Sequence, residues 1–216
     1  MSPTEEIKSK LSLTTIKEPS DARYESYDTG SCEIAVLEFL YSFVRMIRPK
    51  NICETGSYQG LSGAYMAMAL RDNGEGHLDT TETFEANFKI AQERWEKLGL
   101  SQYVTGHFMS SLEWKPEEGK MFDLLFLDSE PYLRFSELNY YWPYLNKGGF
   151  VLIHDLNMHL GDRKPGWEDY VEKLGDKIRN HELFTVCFRT PRGLVLMQKY
   201  HEDMGAYKLL KGEVSL

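Results

Sequence analysis

The sequence predicts an α/β protein in which a mostly parallel sheet carries helices on both faces and ends in an antiparallel hairpin. Three observations predict it. Short apolar runs alternate with helical segments through most of the chain. The run 51–55 passes directly into a glycine loop and then a helix, the form of a ligand-binding strand–loop–helix unit. Near the end, the strand-like runs 183–189 and 194–199 are joined by Thr190-Pro191-Arg192-Gly193, a hairpin signal.

Taken in order, residues 1–30 are polar, carry Pro3, Pro19 and Gly30, and show no sustained period, so they read as an arm leading into the domain. Tyr24 and Tyr27 in that arm either close over a site as a lid or pack on the nearest surface. From Ser31 a helix is signalled by Ile34, Leu37, Leu40, Tyr41, Val44 and Ile47, with Pro49 as its stop. A single domain is expected to span 31–216. Its further elements are helix 59–71, strand 76–82, helix 84–98, strands 102–108 and 121–127, helix 132–145, strand 149–154 and helix 166–180. Parallel strands follow from this alternation, because each return crossing is made by a helix. No repeat, low-complexity tract or linker interrupts it.

The chain has 216 residues, 42% hydrophobic and 27% charged, enough for one sizeable core and short for two. Lys+Arg 25 against Asp+Glu 33 gives a net charge of −8, which opposes attraction to a phosphate backbone, so a nucleic-acid substrate is not expected. Cys32, Cys53 and Cys187 are odd in number and far apart, the pattern of buried small hydrophobes rather than of a disulfide framework. No secretory signal and no apolar run of about 18 residues is present, so a soluble, cytoplasmic protein with no membrane partner is expected.

The most informative segment is Asn51-Ile52-Cys53-Glu54-Thr55-Gly56-Ser57-Tyr58-Gln59-Gly60-Leu61-Ser62. Gly56 and Gly60 let the backbone turn and approach a small molecule, and Glu54 ends the strand as a candidate partner for a charged or hydroxyl-bearing group. The spacing excludes both the dinucleotide fingerprint and the P-loop, since no G-x-G-x-x-G and no G-K-[ST] is present. This segment resembles the first motif, E/D-x-G-x-x-x-G, of the class I S-adenosylmethionine-dependent methyltransferases. The later serine, Ser62, is similar to that of their small O-methyltransferase branch, related to the caffeoyl-CoA and catechol type. Over about 31–200 the resemblance implies a doubly wound, Rossmann-like sheet of seven strands, with S-adenosylmethionine as cofactor.

In open α/β sheets ligands bind beyond the carboxyl ends of the strands, so the residues ending each strand are the candidates. Glu82 ends 76–82 and is either a helix N-terminal charge or, on the resemblance, the acceptor of two ribose hydroxyls. The resemblance places Ser110 near the adenine and Met109 against the ring; Ser110 alone reads equally as an N-cap. Tyr58 and Ser62 belong to the first loop and its helix, where Ser62 would meet the cofactor carboxylate.

The run Phe122–Asp128 resembles the family's F-D-x-[IVL]-F-[IVL]-D, and Leu145–Asp155 its L-x-x-G-G-x-[IVL]-[IVL]-x-x-D. Asp128 and Asp155 are therefore the expected catalytic carboxylates, whereas Asp123 begins its strand at the opposite edge and should be solvated. In the cation-dependent members such aspartates and an adjacent asparagine hold Mg²⁺. Here Leu156 follows Asp155 and the asparagine is displaced to Asn157, so Asp128, Asp155 and Asn157 form the expected metal set. Pro131 stands where relatives often carry a histidine, which leaves His154, beside Asp155, and His159 as candidate bases. Successive strand side chains point oppositely, so His154 and Asp155 need not share a face. Trp142, Trp167, Tyr132 and Phe135 either line a substrate pocket or pack in the core. The resemblance implies O-methylation of a small-molecule hydroxyl, and dimers are common in such families. A hydroxylase-like relative and a non-catalytic cofactor- or partner-binding module are the alternatives.

Overall fold

The computed structural model describes residues 1–156 and 183–199. Its centre is a seven-stranded sheet in the order β5-β4-β3-β6-β7-β9-β8. β3 (Asn51–Thr55), β4 (His77–Glu82), β5 (Val104–Phe108), β6 (Phe122–Leu127) and β7 (Leu145–His154) run parallel, while β9 (Leu194–Lys199) is inserted antiparallel between β7 and the edge strand β8 (Leu183–Phe188). The strand order reverses between β3 and β6, so the loops after these two strands diverge and leave a crevice at the sheet's carboxyl edge.

Alternation along the strands sorts the core into two layers. In β6, Leu124 and Phe126 pack with the helices α2 (Ile34–Ile47), α3 (Leu61–Asn73) and α4 (Glu85–Leu98), while Leu125 and Leu127 pack with α5 (Arg134–Tyr141) through Leu138 and Tyr141. The helix ends follow their sequence signals: Arg48, Gly74 and Gly99 adopt left-handed C-cap conformations, with φ of 47°, 79° and 71°. At the amino edge Asp123 is not simply solvated. It accepts hydrogen bonds from the backbone amides of Lys50 and Asn51 and from Asn146, tying β6 to β3 and β7.

The amino-terminal segment departs from the expected arm. Residues Pro3–Leu11 form α1, started by a Ser2–Glu5 capping box and Pro3 at its first turn. α1 buries Ile7 completely, joins Glu6 to Arg71 at 2.9 and 3.0 Å, and links Thr4 to Glu38 and Tyr65. One buried apolar residue in a short helix leaves no readable period, which is why the sequence pattern missed it. Next, β1 (Ile16–Lys17) and β2 (Glu25–Ser26) form a small antiparallel ladder. Tyr27 is buried with its hydroxyl 2.9 Å from that of Tyr65, so it packs in the core rather than over a site. Expected helix 132–145 is shorter, because Pro131 and Pro143 flank α5 with 3₁₀ turns. Cys32 and Cys53 are buried, but Cys187 is exposed on the edge strand. Helix 166–180, Trp167, Asn157 and His159 lie outside the described residues.

Candidate functional site

A cavity of about 870 Å³ opens at the crevice between β3 and β6. Its floor is the glycine loop. Gly56 has φ +79°, and a Cβ there would lie 2.6 Å from Ser129 Cα and 2.7 Å from the Asp128 carbonyl oxygen, so only glycine lets the loops after β3 and β6 touch. Tyr58, itself at φ 45°, lies against Gly30, and together with Ser57 and Ser62 it lines one wall.

Glu82 stands at one end of the cavity. Its Oε1 accepts from the backbone amides of Thr83 and Phe84 at 2.8 and 2.7 Å, which fixes the carboxylate at the lip. Phe84 and Met109, also lining the cavity, are 62% and 42% exposed, apolar surfaces available to a flat ring. Ser110 lines the same end and its hydroxyl accepts from Leu112 N at 3.3 Å, capping a turn rather than a helix.

Glu54 and Gly60 are placed behind the wall instead of in it. Glu54 is fully buried, accepting from Ser62 Oγ at 2.5 Å and Thr80 Oγ1 at 2.6 Å. Burial pushes its carboxyl up to about 7, and the two hydroxyls offset this only in part. Ser62, expected to meet the cofactor, thus donates its hydroxyl inward. Gly60, at φ +79°, accommodates Ala91 of α4 within 2.9 Å of where its Cβ would stand and begins α3.

A residue that the sequence did not single out organises the floor. Glu137 of α5 is fully buried and accepts from Thr55 Oγ1 at 3.0 Å, Ser111 Oγ at 2.6 Å and Ser129 Oγ at 2.5 Å. It joins the ends of β3, β5 and β6. The available signal was a lone acid beside Leu138 and four residues before Tyr141, which resembles any solvated helix position.

At the other end, Asp128, Asp155 and His154 do converge. β7 ends at His154, and Asp155 turns to φ 63°, a left-handed conformation that aspartate tolerates better than most residues. The turn overrides strand alternation and brings Asp155 Oδ1 to 3.3 Å from His154 Nδ1, with Asp128 Oδ1 at 3.2 Å from the same nitrogen. His154 Nε2 lies 2.7 Å from Glu33 Oε2. Burial opposes charge on this ring, but the charge and hydrogen bond of Asp128 beside it hold its pKa well above the ordinary 6.5. His154 is therefore an imidazolium donating to carboxylates from both nitrogens, and not a free base. Burial likewise raises Asp128, yet His154 and Arg134 more than compensate and its pKa is lowered.

Two guanidinium groups complete this end. Arg192, from the β8–β9 turn, donates from Nε and Nη2 to the two Asp155 oxygens at 2.7 and 2.9 Å. Arg134 Nη2 lies 3.2 Å from Asp128 Oδ1 and 3.7 Å from Asp155 Oδ2. The oxygens expected to receive Mg²⁺ thus already face positive charge, and Asn157 lies outside the described residues. Cys32, Asp128 and His154 also cluster within 4.8 Å. Cys32 Sγ donates to Asp128 Oδ2 at 3.0 Å, and burial with the Asp128 charge pushes its thiol up to about 12, so no thiolate is offered to a metal. Among the described residues, neither group of ligand atoms fits a resident metal. The aromatic residues lie elsewhere: Phe135 and Trp142 pack on the core layer of α5, and Tyr132 is 44% exposed.

Comparison with known proteins agrees with this geometry. Residues 53–156 match the family model described as a methyltransferase domain. A catechol O-methyltransferase of Niastella koreensis is 31% identical over 125 residues, covering 55% of this chain and 54% of that protein. Caffeoyl-CoA O-methyltransferase 2 of Petunia hybrida is 28% identical over 138 residues, covering 61% and 52%. The chain spans about half the length of these relatives. Among solved structures, the O-methyltransferase TomG of Streptomyces achromogenes, in complex with S-adenosylmethionine, superposes with a TM-score of 0.71 at 15% identity, covering 93% and 90%. An O-methyltransferase of Bacillus cereus in complex with S-adenosylhomocysteine gives 0.70 at 15% identity, covering 92% and 90%. Residues 53–156 thus match a methyltransferase domain, and over about half of their length the chain is similar to catechol and caffeoyl-CoA O-methyltransferases.

Proposed function

We propose that this protein transfers a methyl group from S-adenosylmethionine to a hydroxyl oxygen of a small molecule. The observation that carries the reading is a single cavity with Glu82 at one end and Asp128 at the other, joined by the Gly56 loop. When bound, S-adenosylmethionine supplies a methyl on a positively charged sulfur, already activated for in-line displacement.

The residues fit that use. The Gly56 approach leaves room for backbone contact, Glu82 is placed to accept ribose hydroxyls, and Phe84 and Met109 offer apolar faces to the base. On the acceptor side Asp128 lines the cavity, and its carboxylate would accept the hydrogen of the attacking hydroxyl. Holding that oxygen about 3–3.5 Å from the methyl is the main contribution, because reaction in a fixed geometry avoids most of the entropy cost of encounter. A positioned base adds about 10²–10⁴-fold.

The acceptor is read as a small molecule rather than nucleic acid because the net charge is −8. No helix among the described residues is long and apolar enough to cross a membrane. Titration calorimetry with S-adenosylmethionine and S-adenosylhomocysteine, followed by labelled-methyl transfer to a panel of catechols and other small hydroxyl compounds, tests the proposal. Binding of both and label on oxygen are expected; folded protein that binds neither would remove the reading.

A further inference from the structure

We propose that the guanidinium of Arg192 is a built-in cation that takes the place of a divalent metal beside Asp128 and Asp155. The role given to that cation rests on the methyl-transfer reading; its exclusion of a metal does not.

Mg²⁺ and Mn²⁺ need open carboxylate oxygens and room for several waters. Both oxygens of Asp155 are taken by one bidentate guanidinium, at 2.7 and 2.9 Å, the planar pairing that arginine makes and lysine does not. Asp128 Oδ1 faces Arg134 and His154, and its Oδ2 accepts from Cys32.

Arg192 is held in place from three further directions. Its Nη1 donates to the Ser31 carbonyl at 2.8 Å, its backbone amide donates to Glu33 Oε1 at 2.9 Å, and the turn is closed by Gly193 N donating to Thr190 Oγ1 at 3.0 Å. Asp128 and Asp155 also face two guanidinium groups, Arg134 and Arg192, so a divalent ion would meet like charge on two sides. Arg192 nevertheless lines the cavity. Its charge is therefore available to an acceptor oxygen, favouring the ionised hydroxyl as a metal would.

Mn²⁺ binding, followed by loss of the free-ion signal in electron paramagnetic resonance, tests this on the parent protein, Arg192→Met and Arg192→Lys, each with and without S-adenosylhomocysteine. The parent and Arg192→Lys should bind no stoichiometric Mn²⁺. Arg192→Met, which leaves Asp155 without its partner, should gain a site with affinity higher by on the order of tenfold or more. One equivalent bound by the parent and lost in Asp155→Asn would overturn the proposal, as would a folded Arg192→Met that gains nothing. If circular dichroism shows Arg192→Met unfolded, the parent and Arg192→Lys decide by themselves. Calorimetry with S-adenosylhomocysteine on the same samples reports the methyltransferase reading separately, since its failure would leave the Mn²⁺ result standing.

Discussion

Glu33 Oε2 lies 2.7 Å from His154 Nε2, with both side chains fully buried. This contact fastens the end of the central sheet to the residue that begins α2. Burial alone would raise the Glu33 carboxyl, but the hydrogen bond and charge of His154 bring it down from 4.5 to about 2. A lowered carboxyl pKa contributes stability that is present above about 4.5 and lost as pH falls through about 2. The raised histidine contributes in the opposite sense, fully below its ordinary 6.5 and progressively less as pH rises through the folded value. The pair should therefore stabilise the fold most between about pH 5 and 6.5. Glu33→Gln, by leaving a buried imidazolium with one partner fewer, is expected to cost about 3–5 kcal/mol. Urea unfolding across pH should show that loss near neutrality and a shallower acid limb; an unchanged acid limb would contradict the assignment.

Glu54 gives the reverse dependence. Its folded pKa of about 7 exceeds the ordinary 4.5 because burial disfavours charge. The folded state thus holds the proton more tightly, and stability falls as pH rises from about 4.5 to 7, by about 3 kcal/mol in total. Glu54→Gln is expected to melt higher than the parent above pH 7 and to lose that advantage below pH 4.5. Since Glu54 is walled off from the cavity, its replacement should weaken S-adenosylhomocysteine binding far less than Glu82→Ala. Thermal melts over pH and calorimetry of the two variants decide both points.

How much was legible follows from how local each feature is. The glycine loop, the five parallel strands and the hairpin were legible because each is written in consecutive residues with a short period. Asp128 and Glu82 were legible for a related reason, since the end of a strand in this fold is also the edge of the site. Three things were not. α1 has one buried apolar residue, Ile7, and so no stripe. Asp155 and His154 face each other only because of a left-handed backbone turn, which overrides alternation and has no strict residue signature for aspartate. Arg192 acts on Asp155, 37 positions away, and Glu137 on Ser111 and Thr55, 26 and 82 positions away, contacts that depend on strand order and not on spacing. Glu54 shows the remaining gap: its place at a strand end was readable, but the inward hydrogen bonds from Ser62 and Thr80 were not.

Glu137 should prove as important to the site as any residue lining it. One carboxylate accepts from three hydroxyls that belong to three separate strand ends. Glu137→Ala removes the shared acceptor and leaves Thr55, Ser111 and Ser129 to find others, with an expected cost of about 3 kcal/mol or more. Ser111 and Ser129 line the cavity, so cofactor binding should fall with stability. Calorimetry well below the melting temperature separates the two effects. A variant that is destabilised but binds S-adenosylhomocysteine like the parent would limit Glu137 to a role in folding.

Gly56 and Gly74 allow the close approach at the cavity floor to be measured separately from backbone strain. Both have φ +79°, but a Cβ on Gly74 would meet nothing within 4 Å, whereas one on Gly56 would lie 2.6 Å from Ser129 Cα. Alanine at either position carries the left-handed cost of about 1–3 kcal/mol. At Gly74 that should be all, seen as a lower melting temperature with unchanged S-adenosylhomocysteine affinity. At Gly56 the obstructing atoms are backbone, so the loop carrying Asp128 and Ser129 has to move away from the glycine loop. Gly56→Ala is accordingly expected to unfold more easily than Gly74→Ala and to lose about tenfold or more in cofactor affinity, the equivalent of about 1.4 kcal/mol. Equal stability losses and equal affinities in the two variants would mean that contact between the loops after β3 and β6 does not shape the site.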